Sequence, residues 1–228
     1  MDLERIKSPT HEFSSPIRDV DFIFEFPKSL DKDFCDDLIE KFENDDRKYQ
    51  GVIGGNSHTG GLVNRDIKST YDLTLSDKND YKKEDNVLFH ALKKGMLAYF
   101  EHCKTISESV LNIHAMTSTY DVQDTGYQVQ RYEPGEFYVW HHDFNEHSFY
   151  GSRQITYIWY LNTIKDGSGY TEFACGKKVK PRVGKLVIFP SSWQYIHRGY
   201  PSKSKRKYIC TGWVYSKAKI EQPGDKRL

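Results

Sequence analysis

From Met116 onward the chain breaks into short runs of Tyr, Val, Ile, Thr and Trp separated by turn residues, and this pattern leaves few folds open. The runs cover 116–122, 127–133, 137–141, 154–162, 170–173, 185–189 and 205–214. Asp124-Thr125-Gly126, Pro134-Gly135 and Asp166-Gly167 punctuate them as turn signals. Short strands at such close spacing point to a sandwich or barrel, including the jelly roll that houses cupin-type metal sites.

The first half reads differently. Phe22–Phe26 is a short apolar strand ending at Pro27. Ser29 or Asp31 can cap a helix whose apolar positions Phe34, Leu38, Ile39 and Phe42 follow a helical period. A second helix is expected over 83–107, with Val87, Leu88, Ala91, Leu92, Met96, Leu97 and Phe100 buried and Lys93, Lys94 and Glu101 in solvent. The Gly-rich stretch 51–61 lacks the Gly-Lys-Ser/Thr ending of a phosphate-binding loop and reads as a mobile loop. The expected class is therefore α+β, a double-stranded β-helix core (jelly-roll or cupin-like) with supporting N-terminal helices. Its divisions would be a supporting region at 1–112, a β-domain at 113–216 and a polar tail at 217–228.

Charge excludes some partners. With 33 Lys+Arg against 32 Asp+Glu, the net charge of +1 provides no global field to recruit nucleic acid or a membrane surface. Cys35, Cys103, Cys175 and Cys210 form no Cys-x-x-Cys and read as buried or free thiols in a reducing compartment. Neither a secretory h-region nor a bilayer-spanning apolar run is visible, so the expected location is the cytoplasm, with no membrane partner.

The chemistry is concentrated in His141-His142-Asp143, His197 and Lys207. On a strand, His141 and Asp143 project from one face and His142 from the other. His197 completes two imidazoles and one carboxylate, the set that leaves open positions on a non-haem Fe(II). Such a metal can hold an anionic keto-acid chelator, whose far carboxylate in an apolar pocket needs a cation. Lys207, at the head of a strand that also turns Ile209, Thr211 and Trp213 to one face, can provide it. Arg206 is the rival for that role. Trp140 and Trp159 read as core aromatics.

The ordered segments QVQRYEPGEFYVWHHD, RQITYIWYLN, SGYTEF, GKLVIFPSSWQYIHRGYP and KYICTGW resemble the prolyl 4-hydroxylase branch of the 2-oxoglutarate/Fe(II) dioxygenases. The resemblance covers roughly residues 125–215. It implies that His141, Asp143 and His197 are iron ligands, and that Lys207 binds the distal carboxylate of 2-oxoglutarate. Tyr132, Thr171 and Trp213 match further co-substrate contacts, and Tyr138 and Arg153 match positions that touch a peptide substrate. The implied reaction uses O2 to convert 2-oxoglutarate to succinate and CO2 while hydroxylating a C–H bond, most directly of a peptidyl proline. Ascorbate, in this family, keeps the iron reduced. Two departures bear on substrate: Ser168 replaces the first glycine of the usual Gly-Gly pair, and the segment from Asp143 to Arg153 is short. Three other readings stay open: a dioxygenase of a non-prolyl amino acid or metabolite, a cupin-type metalloenzyme without co-substrate, and a non-catalytic jelly-roll binding module.

Overall fold

Ile155 to Tyr160 are buried without interruption, which requires a strand covered on both faces. The computed structural model describes residues 21–54, 61–106, 120–147 and 149–218. In chain order its strands are β1 (Phe24–Phe26), β2 (Tyr49–Gln50), β3 (Tyr71–Thr74), β4 (Tyr120–Asp124), β5 (Gln128–Tyr132), β6 (Tyr138–His141) and β7 (Glu146–His147). Then follow β8 (Gly151–Tyr160), β9 (Thr171–Phe173), β10 (Lys178–Val179), β11 (Lys185–Pro190), β12 (His197–Gly199) and β13 (Lys207–Ala218). Two helices, α1 (Lys32–Glu43) and α2 (Lys82–Ile106), precede β4.

The major sheet runs β1-β11-β8-β13-β5-β3-β2, with β4 also on β13 and β7 on β8; the minor sheet runs β10-β9-β12-β6. Strand alternation sorts the core into two layers. Tyr157 and Trp159 of β8 join Leu38, Phe42, Leu88 and Leu92 beneath the helices. Ile158 and Tyr160 point the other way, packing with Phe173, Val187, Phe189 and Ile209. The expected α+β jelly-roll core with supporting helices is the observed architecture.

The supporting region contributes strands as well as helices. β1 pairs with β11 and β3 with β5, so strands from the supporting region extend the major sheet itself. The expected boundary at 112/113 lies outside the described residues, and β13 carries the pairing on to Ala218, opposite Tyr120. Residues 55–60 of the Gly-rich stretch also lie outside them. Asp31 sits at the N-cap of α1 but makes no side-chain cap bond. Ser29 instead accepts the Trp159 indole N–H at 3.0 Å. Gly184, at φ +75°, brings its carbonyl to the amides of Ser29 and Leu30, where a β-carbon would collide with the Leu30 carbonyl.

Two packing expectations need correction. On α2 the buried stripe is Leu88, Leu92, Gly95, Tyr99 and Cys103, and Val87 and Leu97 face solvent. Gly95 sets this rotation, since a β-carbon there would run into Leu186 and only a bare backbone lets α2 approach β11. Trp140 is 43% exposed rather than core, because it lies on the outer face of β6 under the Arg198 guanidinium, 4.5 Å from the ring. Trp159 is fully buried as expected. All four cysteines are free thiols; Cys35, Cys103 and Cys210 are buried and Cys175 exposed.

Beside the inner layer, Lys68 and Asp72 form a fully buried ion pair at 2.6 Å. Among the described residues the second oxygen of Asp72 has no hydrogen-bond partner, nor does the neighbouring Thr70 hydroxyl. Removing only the cation strands a buried carboxylate, so Lys68→Ala is expected to destabilise the fold by about 3–5 kcal/mol. Replacing both partners with apolar residues should restore most of that. Urea unfolding of the single and double variants measures the difference.

Candidate metal centre

β6 and β12 are antiparallel neighbours, and their register sets His141 opposite His197. Each imidazole is anchored through Nδ1 to the carbonyl two residues earlier, Val139 at 2.8 Å and Tyr195 at 2.9 Å. An Nδ1–H donated to a carbonyl leaves Nε2 as a bare lone pair, the tautomer a metal requires. Asp143 lies in the loop just after β6, so the strand alternation that places His141 ends two residues short of it. Its Oδ1 stands 3.7 Å from His141 Nε2 and its Oδ2 3.6 Å from His197 Nε2. The ligand atoms of all three lie within 4.8 Å of one another. Two ordinary metal–N or metal–O bonds span about 4 Å, so one ion can be shared among them. His142 is exposed.

The charge states suit a cation. Burial, reinforced by the adjacent His197, pushes His141 down to about 3, so its ring is neutral at ordinary pH. For Asp143 burial works against ionisation, but the two imidazoles, Arg153 and the Thr156 hydroxyl outweigh it and hold the carboxyl below its usual value.

These residues open into a narrow cavity of about 50 Å³. Lys207, Ile209, Thr211 and Trp213 all line it, as strand alternation requires; the irregularity in β13 falls later, between Val214 and Tyr215. Lys207 is 2% exposed and, among the described residues, makes no hydrogen bond or ion pair. Its Nζ sits 4.1 Å from the centre of the Tyr132 ring. Burial alone pushes its ammonium down to about 7. Arg206 is half exposed and bonded to Glu133 at 2.9 Å, on the outside.

Of the other expected residues, Thr171, Tyr132, Trp213 and Tyr138 line the same cavity, and Arg153 does not line it but packs on Trp213. Thr171 accepts the Tyr160 hydroxyl at 2.6 Å, which leaves its own O–H free. Tyr132 donates its O–H to Gln130 at 3.1 Å, so it offers the lysine its ring face while that bond holds. The Trp213 indole N–H is buried with no partner among the described residues. Tyr138 stacks on His141 at 3.6 Å between ring centres and 14° between planes. Arg153 lies over the Trp213 ring at 3.9 Å, donates to the Tyr215 hydroxyl, and reaches the Asp143 carbonyl at 3.3 Å.

Sequence reading missed Gln130, Ile158 and Gly199 in the cavity wall, and Thr156, which donates to Asp143 Oδ2 at 2.9 Å. The available signal was that Thr156 is the one small aliphatic hydroxyl in the RQITYIWYLN run. A wider cleft bordered by Asp37, Glu40, Arg47 and Asp80 contains surface ion pairs and no imidazole or thiol.

Residues 127–215 match the family model described as the 2OG-Fe(II) oxygenase superfamily. Prolyl 4-hydroxylase 1 of Arabidopsis thaliana is 34% identical over 115 residues, 40% of this chain. The chain covers 41% of that curated relative's length. A Pseudomonas putida prolyl-4-hydroxylase shares the fold at a TM-score of 0.59, with 19% identity over 85% of this chain and 92% of that one. A Trichoplax adhaerens prolyl hydroxylase, solved in complex with a hypoxia inducible factor oxygen degradation domain peptide fragment, superposes at 0.63 with 17% identity, over 85% and 83%. The viral collagen prolyl hydroxylase of Paramecium Bursaria Chlorella virus-1, solved as its 2OG complex, gives 0.54 with 19% identity, over 87% and 98%.

Proposed function

We propose that this chain, whose residues 127–215 match the model of the 2OG-Fe(II) oxygenase superfamily, acts as a member of its prolyl 4-hydroxylase-like branch and hydroxylates peptidyl proline. The coupled reaction consumes 2-oxoglutarate and O2 and yields succinate, CO2 and the hydroxylated residue. The observation that carries the proposal is Lys207: a buried, unpaired cation sharing one cavity with two imidazoles and a carboxylate. A metalloenzyme without an anionic co-substrate has no use for that charge, and a binding module has no use for the pair of sites.

His141, Asp143 and His197 would hold Fe(II), which when bound would supply the activation of O2 and the oxidation of the C–H bond. The chain supplies position and electrostatics. Lys207 neutralises the distal carboxylate of 2-oxoglutarate between the apolar walls of Ile158 and Ile209. Thr171 donates its free hydroxyl to the same anion, and the orphaned Trp213 N–H finds its acceptor there. Tyr132 faces the ammonium with its ring and exchanges Gln130 for the co-substrate when that is bound. Tyr138 and Arg153 border the metal on the side where a peptide enters; Arg153, clamped by Trp213, Tyr215 and the Asp143 carbonyl, presents its remaining N–H groups to a peptide carbonyl. Ascorbate serves as the external reductant that keeps the iron ferrous. The free thiols fit a reducing, cytoplasmic setting.

Two outcomes test this reading. A proline-rich peptide incubated with Fe(II)-loaded protein and 2-oxoglutarate is expected to gain 16 Da on proline. Turnover with hydroxylation only of free amino acids or metabolites would replace the peptidyl substrate with the non-prolyl alternative. The pH dependence follows from Lys207, which must be protonated to pair with a carboxylate and titrates at about 7 in the free site. Below that value the apparent affinity for 2-oxoglutarate is flat. Above it each binding event must take up a proton, so the apparent KM should rise by up to about tenfold per pH unit. Steady-state KM measured from pH 6 to 9 checks the sign.

A further inference from the structure

Asp143 differs from the two imidazoles in how it is held. His141 and His197 sit opposite one another in the minor sheet and are locked by backbone carbonyls, which no side-chain substitution can remove. Asp143 lies beyond the end of β6 and has no sheet partner. Its carboxylate is tied instead to the opposite sheet. Thr156, in the middle of β8, donates its hydroxyl to Asp143 Oδ2 at 2.9 Å. Ser191, immediately after β11, stands 2.9 Å from the Thr156 oxygen. Both hydroxyls are 1% exposed, so neither exchanges this bond for water.

The direction of the chain is set by chemistry. An ionised carboxylate only accepts, so Thr156 spends its single proton on Asp143. Ser191 must therefore donate to Thr156, and the two bonds run Ser191 to Thr156 to Asp143, each polarising the next. A fixed hydrogen bond to Oδ2 sets the rotation of the carboxylate, so that its oxygens stay turned toward both Nε2 atoms, at 3.6 and 3.7 Å. Main-chain contacts support the same loop: Arg153 donates its amide to the Asn145 carbonyl at 2.9 Å.

We propose that Thr156 and Ser191 are positioning residues for the metal: a two-hydroxyl relay from the major sheet that pre-orients the loop-borne carboxylate ligand across the cavity. This rests on Asp143 being a ligand, and the test separates the two ideas. Anaerobic titration with Fe(II), and with Co(II) followed by its visible d–d bands, measures metal affinity without any turnover. Loss of an outer-shell partner typically weakens binding by about 10–100-fold. Thr156→Val, similar in shape, is expected to show that loss with a lowered but still cooperative thermal transition, because it strands the buried Ser191 hydroxyl and one Asp143 oxygen. Thr156→Ser, which keeps the hydroxyl, should recover most of it, and Ser191→Ala should show a smaller loss because the bond to Asp143 survives. Wild-type affinity in Thr156→Val, while Asp143→Ala loses the metal, would overturn the relay and leave the ligand assignment standing. Wild-type affinity in Asp143→Ala would overturn both. A loss in Thr156→Val that Thr156→Ser shares equally would mean that packing, not the hydroxyl, matters, and would also overturn the relay.

Discussion

Asp143→Ala is expected to abolish turnover while the protein stays folded, and His141→Ala to do the same. Each removes one of the three proposed ligands, whose donor atoms lie within 4.8 Å of one another. Two remaining ligands do not hold iron against dilution into buffer. The fold should survive because Asp143→Ala strands no charge, and in His141→Ala the Asp143 carboxylate keeps Arg153 and the Thr156 hydroxyl. His141 is neutral at any pH well above 3, so losing Asp143 leaves no unpaired imidazolium at that position. Losing His141 removes a neutral ring at the edge of a four-stranded sheet, not a core support. Anaerobic iron titration, circular dichroism and succinate release, measured on the same preparations, distinguish ligand loss from unfolding. Full activity in either variant would displace the ligand assignment.

The second large effect concerns Lys207. Lys207→Ala is expected to raise the KM for 2-oxoglutarate by roughly 30- to 3000-fold, the range for truncating one partner of a buried charge pair at 2–5 kcal/mol. Metal binding should be nearly unchanged, since Lys207 makes no contact with the three ligands. Stability should not fall in proportion, because the free protein loses a cation that burial already disfavours. Arg206→Ala provides the contrast. Its guanidinium is half exposed and paired with Glu133, so its loss should change KM by less than about 1 kcal/mol. If Arg206→Ala raised KM and Lys207→Ala did not, the cavity would be assigned to the wrong cation.

How far the sequence could be read depended on element length. β13 is long enough for alternation to be unambiguous, and Lys207, Ile209, Thr211 and Trp213 share the cavity as that alternation requires. β8 was legible as a strand for the same reason. β12 has three residues, too few for any period, so the strand carrying His197 was visible only through its resemblance motif. β2 and β3 escaped notice because half their residues are polar and their pairing partner lies far along the chain. Helix rotation was misjudged where Gly95, not an apolar residue, makes the closest contact, leaving Val87 and Leu97 outside. Trp140 was misplaced because hydrophobicity alone does not distinguish a core indole from one stacked beneath an arginine. Lys68, Asp72, Thr156 and Ser191 are common residues in unremarkable settings, and only the tertiary fold brings each pair together.

The central claim is that the His141–Asp143–His197 centre and Lys207 serve one reaction. Succinate formation from 2-oxoglutarate by anaerobically Fe(II)-loaded protein, started by admitting air, tests it most directly. The account predicts succinate in the wild type, stimulated by a proline-rich peptide, with none in Asp143→Ala and saturation in Lys207→Ala only at far higher 2-oxoglutarate. Folded, iron-loaded wild-type protein that forms no succinate under these conditions would contradict it.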